Sequence, residues 1–159
     1  MKRQTAAGFT LIEMAIVVAI IGLLATGIAP LSQLVHQRVQ ERELRQALRD
    51  IRSAVDRYHQ AHESGLIARQ ADGSGYPPKL EVLTEGVPDA RSADGRMLYF
   101  LRRLPRDPFH PDPRAPAAAT WGLRSYASPP DDPQAGKDVF DVHSLSPAVG
   151  LNGVPHRAW

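Results

Sequence analysis

The feature that most constrains this chain is an uncharged run of 18 residues, Met14–Leu31, rich in Ile, Val, Leu and Ala. A helix needs about 20 mostly apolar residues to cross a bilayer, and Phe9–Ile12 extends the run to that length. Lys2 and Arg3 precede the run, and basic residues favour the cytoplasmic side of a membrane. The sequence therefore predicts a membrane helix over residues 9–31 with a cytoplasmic N-terminus.

The helical pattern continues beyond this run into a strongly charged segment. Apolar residues recur there at the three- and four-residue spacing of one helix face. This apolar stripe consists of Leu44, Ala47, Leu48, Ile51, Ala54, Val55, Tyr58 and Ala61. The opposite face carries Arg42, Arg45, Arg49, Arg52 and Asp56. No proline or glycine interrupts residues 31–64, and Gly65 is a typical C-terminal stop. One helix is predicted from Phe9 to Glu63, with residues 32–64 as its amphipathic half.

Residues 65–159 differ in composition and are predicted to form a small globular head. They contain 13 of the 14 prolines, which leaves room for only a thin core. A short helix is predicted at Lys79–Glu85, and strands at Trp121–Ala127 and Val139–Ser144 with a turn-rich connection favour an antiparallel hairpin. We expect the apolar stripe to complete the core. The predicted fold class is α+β, a long N-terminal α-helix packed on a small antiparallel β-sheet.

Composition excludes several classes of function. The chain has no cysteine, so disulfides, thiolate metal sites and a cysteine nucleophile are excluded. Its 19 basic and 17 acidic residues nearly cancel. The arginines of the long helix are interspersed with Glu41, Glu43, Asp50 and Asp56, which favours a solvated or subunit-facing surface over a nucleic-acid interface. No nucleophile–base arrangement or phosphate-binding loop is visible, so no enzyme activity is predicted.

The possible interpretations of residues 1–30 differ in whether they account for the acid Glu13. A secretory signal peptide could be cut after Gly27-x-Ala29, but Pro30 would then follow the cut directly. A plain signal anchor gives no reason for an acid. A charged side chain costs about 2.5–3.5 kcal/mol at mid-membrane and less near the interface, so it usually has a partner and a role.

The residues GFTLIE at 8–13 resemble the prepilin signature of type IV pilins and of the pseudopilins of type II secretion. The resemblance implies removal of residues 1–8 as a leader, by cleavage between Gly8 and Phe9, and methylation of the new N-terminus at Phe9. Glu13 lies where the family keeps a glutamate, which implies that it compensates the amine of a neighbouring subunit during assembly. Pro30 lies where the family has a helix-bending proline. Gly22 and Gly27 either ease unwinding there or allow close helix packing.

The head resembles the major, G-type pseudopilin in four stretches, which are LRRLPRDPF at 101–109, WGLRSYAS at 121–128, VFDVHSLS at 139–146 and GLNGVPHRAW at 150–159. Pilus subunits usually carry a C-terminal disulfide, which this chain cannot form. Many G-type pseudopilins bind calcium through acids in a C-terminal loop, but the corresponding SLSPAVGLNG at 144–153 contains none. Calcium needs several oxygen ligands. The nearby Asp131, Asp132, Asp138 and Asp141 could supply calcium ligands from the neighbouring loop, but we favour a solvated acidic turn and predict no cofactor.

Other candidates for metal binding are weaker. His59 and His62, followed by Glu63, share a helical face and could bind a metal, but two ligands near a helix end without a clear third favour surface residues. His110 and Asp112 lie among prolines and indicate an irregular loop.

The resemblance implies a structural pseudopilin of type II secretion, anchored in the bacterial inner membrane with a periplasmic head and later part of a periplasmic filament. Its implied partners are further copies of itself, minor pseudopilins, prepilin peptidase, the inner-membrane assembly platform and the outer-membrane secretin, with energy from a separate ATPase and no nucleic acid. The alternatives are a minor type IV pilin, and a membrane-anchored binding protein or enzyme that uses the prepilin route.

Overall fold

The structure is a computed structural model that describes residues 9–68 and 73–159, with the side chains of 24–32 left out. The chain divides into two compact units, Met1–Arg38 and Val39–Trp159, and the boundary lies within the long helix α1, Leu11–Glu63. The predicted boundaries at residues 31 and 64 stay predictions. In the described part of the chain, no helix has an 18-residue stretch apolar enough to cross a membrane.

Helix α1 ends as its sequence predicts. Gly65 adopts a positive φ of 74°, which a residue without a Cβ accommodates readily. Its N–H donates to the carbonyl of His62 at 3.0 Å, and the N–H of Leu66 donates to the carbonyl of Ala61 at 2.9 Å. These two bonds form a Schellman motif and satisfy carbonyls that the end of the helix would otherwise leave without donors.

The second unit adds short elements to the C-terminal half of α1. They are the helix α2 at Val82–Glu85, the strands β1 at Val87–Pro88, β2 at Met97–Leu98, β3 at Trp121–Arg124 and β4 at Asp141–Ser144, and two 3-10 turns at Ala117–Thr120 and His156–Ala158. β1 pairs with β2 and β3 pairs with β4, both antiparallel. The predicted hairpin is therefore confirmed, with Trp121 opposite Ser144 and Arg124 opposite Asp141.

The apolar stripe of α1 forms one side of the head's core, as predicted. All eight of its residues are buried, and Leu44, Ile51 and Ala54 are fully so. They pack with Ile67, Leu80, Leu83, Trp121, Val139 and Val142 from the rest of the unit. The long helix and the two antiparallel strand pairs confirm the α+β, pilin-like fold class. The helix supplies one face of the core of a thin, proline-rich head.

A half-buried histidine, His143, lies over the hairpin. His143 is opposite Gly122 in the register, and a Cβ on Gly122 would overlap the imidazole. Burial lowers the pKa of His143 below its ordinary value of 6.5, nearby Asp141 opposes this shift, and Arg52 adds to it.

This shift predicts that stability falls on acidification. With the folded pKa below 6.5, the unfolded chain binds a proton more readily than the folded one, so stability is present above pH 6.5 and is lost as pH falls through the folded pKa. Urea denaturation of the wild type and of His143→Gln, at pH values from above 6.5 down through the folded pKa, measures this loss of stability. We expect a smaller loss for His143→Gln, and equal losses in the two proteins would contradict the prediction.

Candidate processing and assembly site

The N-terminal part of the chain presents a continuous apolar surface. Every residue from Phe9 to Leu23 is exposed, and we call this segment the apolar sleeve. Leu11 is 88% exposed and Leu23 is 75% exposed, although each such side chain gains about 1.5–3 kcal/mol when it is buried away from water. An exposed apolar surface of this extent marks a membrane or protein contact.

Glu13, the acid within this sleeve, closes the first turn of α1. The N–H of Glu13 donates to Thr10 Oγ1 at 3.3 Å, and the N–H of Thr10 donates to Glu13 Oε2 at 3.4 Å. This reciprocal pair is a capping box, and it satisfies amide donors that the start of a helix leaves free. The negative charge also lies near the positive end of the helix dipole. No salt bridge to Glu13 is found among the described residues.

The structure describes only some of the other residues predicted to act in processing and assembly. Phe9 lies two residues before α1 and is 78% exposed. Gly8 and the predicted leader lie outside the described residues. Pro30 falls within the assigned range of α1, but its side chain and the predicted bend lie outside what the structure describes. The roles of Gly8, Phe9, Glu13 and Pro30 therefore stay predictions.

In the head, residues 104–109, which we call the LPRDPF segment, anchor the hairpin. Asp107 is buried, and its Oδ2 accepts a hydrogen bond from Ser144 Oγ of β4 at 2.5 Å. Its other oxygen accepts the N–H of Phe109 at 2.8 Å, and its own N–H donates to Thr120 Oγ1 at 3.1 Å. The indole N–H of Trp121 donates to the carbonyl of Pro105 at 2.9 Å. Asp107 and the carbonyl of Pro105 therefore hold this segment against β3 and β4.

Arg52 joins α1 to the hairpin and to the C-terminal residue. Its guanidinium donates to Asp141 Oδ1 at 2.8 Å, to the carbonyl of Val142 at 3.1 Å and to the carbonyl of Trp159 at 2.7 Å. Arg52 was predicted to lie on the charged face of α1, on a solvated or subunit-facing surface, and these three acceptors were not anticipated. A planar guanidinium can serve several acceptors at once, so Arg52 fixes three parts of the fold together.

Two buried residues, one on α1 and one in the head, were not expected from the sequence. Glu41 was predicted to lie on a solvated or subunit-facing surface but is only 3% exposed. It precedes Leu44 by three residues and so extends the apolar stripe, a spacing that could have revealed its burial. His156, which sequence analysis did not single out, is fully buried. The two side chains lie 3.9 Å apart, between His156 Nε2 and Glu41 Oε1.

The candidate metal ligands do not form a common site. No group of three or more His, Cys, Asp or Glu residues suited to a metal is found in the described part of the chain. The carboxylate of Asp138 accepts the N–H of Tyr126, that of Asp132 accepts the amide of Gln134, and that of Asp141 accepts Arg52. Asp131 is exposed.

The histidine candidates make local contacts. His59 stacks on Tyr76 with ring centroids 4.2 Å apart, and its Nε2 lies 3.5 Å from Glu63. A Cβ on Gly75 would lie 2.9 Å from Nδ1 of both His59 and His62, so both imidazole rings pack closely against the backbone at Gly75. His110 Nδ1 lies 3.3 Å from the backbone carbonyl of Asp112 within an irregular loop.

Comparison with known families identifies the class of protein. Residues 3–29 match the family described as the prokaryotic N-terminal methylation motif. This range contains GFTLIE, with the capping pair of Thr10 and Glu13. Together with the pilin-like fold, the match defines the chain as a prepilin-class protein. No solved structure matches the chain at a significant level.

Two curated relatives make the identification more specific. The type II secretion system core protein G of Vibrio cholerae serotype O1 is 31% identical over 157 residues, which cover 96% of this chain and 86% of the relative. The protein of the same name from Klebsiella michiganensis is 27% identical over 146 residues, 87% of this chain and 92% of the relative. The chain belongs to this family, the G-type pseudopilins of type II secretion.

Proposed function

We propose that the chain is a structural subunit of a type II protein secretion system. A prepilin peptidase removes residues 1–8 and methylates Phe9. The processed subunit waits in the inner membrane, with its N-terminus cytoplasmic and its head periplasmic, and then joins a short pseudopilus that drives folded proteins across the outer membrane. The chain carries no catalytic role, and a separate cytoplasmic ATPase supplies the energy.

The observation that carries this proposal is the apolar sleeve with one capped acid inside it. In lipid the sleeve is already surrounded by apolar groups, so apolar contact alone gives little reason to leave the membrane. Glu13 supplies the reason to leave the membrane, because its charge is costly in lipid and is stabilised by a positive partner in the filament. The methylated amine of Phe9 on a neighbouring subunit supplies that charge.

The proposed partners follow from the same arrangement. Further copies of the chain and minor pseudopilins present similar sleeves, and the inner-membrane platform and the outer-membrane secretin act at the two ends of the filament. The names of the relatives favour this system over a type IV pilus. A subunit that acts by packing requires no cofactor or nucleic acid.

Deletion of the gene tests the function. We expect proteins normally exported by this system to accumulate in the periplasm, and a plasmid copy of the wild-type gene to restore export. Glu43→Gln, which changes an exposed carboxylate of α1, serves as the control and should also restore it. Normal export together with loss of surface pili would contradict the proposal and favour a minor type IV pilin.

A further inference from the structure

The C-terminal loop, residues 145–155, is held in one conformation by its own backbone and side chains. Val149 forms an antiparallel bridge with Pro155, and the N–H of Gly150 donates to the carbonyl of Val154 at 2.9 Å. Asn152 Oδ1 accepts the N–H of Val154 at 3.1 Å. These contacts define the shape of the loop but do not attach it to the rest of the head.

Glu41 makes that attachment from helix α1. Its Oε1 accepts the N–H of Leu151 at 2.7 Å, a contact between residues 110 positions apart in sequence. Its Oε2 lies 3.5 Å from the guanidinium of Arg45, which itself stacks over the ring of Trp159 at 4.2 Å. Hydrogen bonds to a charged acceptor are stronger than neutral ones, so this carboxylate is an effective anchor for the tip of the loop.

His156 anchors the other end of the loop. Its Nδ1 lies 3.3 Å from Ser146 Oγ, and its ring packs against Phe109 at 4.1 Å between centroids. The N–H of Ser146 donates to Ser144 Oγ at 3.1 Å, and Ser144 Oγ donates to buried Asp107. A polar network therefore runs from the imidazole to the LPRDPF segment.

The donor set around the loop does not fit the calcium ion that the family resemblance implies. Calcium takes six to eight oxygen ligands, generally with several carboxylates. Residues 144–153 contain no acid. The two buried carboxylates that reach this region, Glu41 and Asp107, already accept hydrogen bonds from Leu151, Phe109 and Ser144.

We propose that Glu41 and His156 hold the C-terminal loop in the place of a metal ion, so that the order of the loop is independent of calcium. The carboxylate is supplied by the helix instead of the loop, and it binds the loop through a backbone amide. This inference concerns the folded subunit alone. It can therefore fail or succeed separately from the proposed role in secretion.

Amide hydrogen exchange on the full-length chain in detergent micelles tests the proposal in two arms. In the first, wild-type protein is compared in EGTA and in millimolar calcium, and we expect the same exchange rate at Leu151 and the same melting temperature. In the second, Glu41→Leu removes the acceptor, and exchange at Leu151 should become about tenfold faster or more. Glu41→Gln retains an amide oxygen and should restore slow exchange, and Glu43→Leu is the exposed control on the same helix.

Calcium-dependent protection of the loop, or a higher melting temperature in calcium, would overturn the proposal. Unchanged exchange at Leu151 in Glu41→Leu would overturn it as well. If that variant does not fold, the wild-type comparison and Glu41→Gln still decide the matter.

Discussion

A chain carrying Glu13→Leu is expected to enter the membrane and fold its head but to form no filaments. Leucine suits lipid better than a carboxylate does, so the variant gains nothing by leaving the membrane. A mid-membrane charge costs about 2.5–3.5 kcal/mol, which corresponds to at most about 300-fold in the equilibrium between membrane and filament. Filament yield, measured by shearing from cells that overproduce the chain, should fall to background.

Glu13→Gln separates the charge of Glu13 from its role as a helix cap. Glutamine can take the same place in a capping box with Thr10, because its side-chain oxygen still accepts the N–H. It cannot compensate an amine. We expect this variant to be as defective as Glu13→Leu, and wild-type filament yield from it would show that capping alone matters.

The second large effect is expected in the core of the head. Ile51 lies in the centre of the apolar stripe and is fully buried, with 0% of its surface exposed. Replacing it by alanine should lower the free energy of unfolding of the head by about 2–5 kcal/mol, because apolar contact is lost and a cavity remains. Urea denaturation followed by the fluorescence of buried Trp121 measures this loss.

Ser53→Ala is the matched control for this measurement. Ser53 is exposed two residues further along α1, and surface substitutions usually change stability by no more than about 0.5 kcal/mol. If the two variants unfolded at the same urea concentration, the result would contradict the placement of Ile51 in the core of the head.

The helix and its buried face could be predicted because they depend on local sequence. A stripe at helical spacing identifies core residues one by one, and Gly65 marks the helix end because few other residues accept a positive φ. The hairpin was also predictable, although β3 stops at Arg124 instead of Ala127. The N–H of Ser125 leaves the ladder and donates to the carbonyl of Gln134.

The polar contacts of the head could not be predicted in the same way. The spacing of Glu41 from Leu44 indicates its burial, but the partner of Glu41, Leu151, and that of Arg52, Trp159, are more than 100 positions away in sequence. Nothing local indicates which charged residue on a helix will meet a distant backbone group. The capping box is different, since Thr10-x-x-Glu13 before an apolar run is a known N-terminal signature that the sequence analysis overlooked.

Mass spectrometry of the mature chain, purified from the membrane of cells that contain the prepilin peptidase, tests the proposed processing most directly. A processed pseudopilin should begin at Phe9, without residues 1–8, and carry a methyl group on its terminal amine. The same sample from cells that lack the peptidase should begin at Met1 and serves as the control. A mature chain that keeps Met1, begins at another residue or lacks the methyl group would contradict the proposal that this chain is a processed subunit.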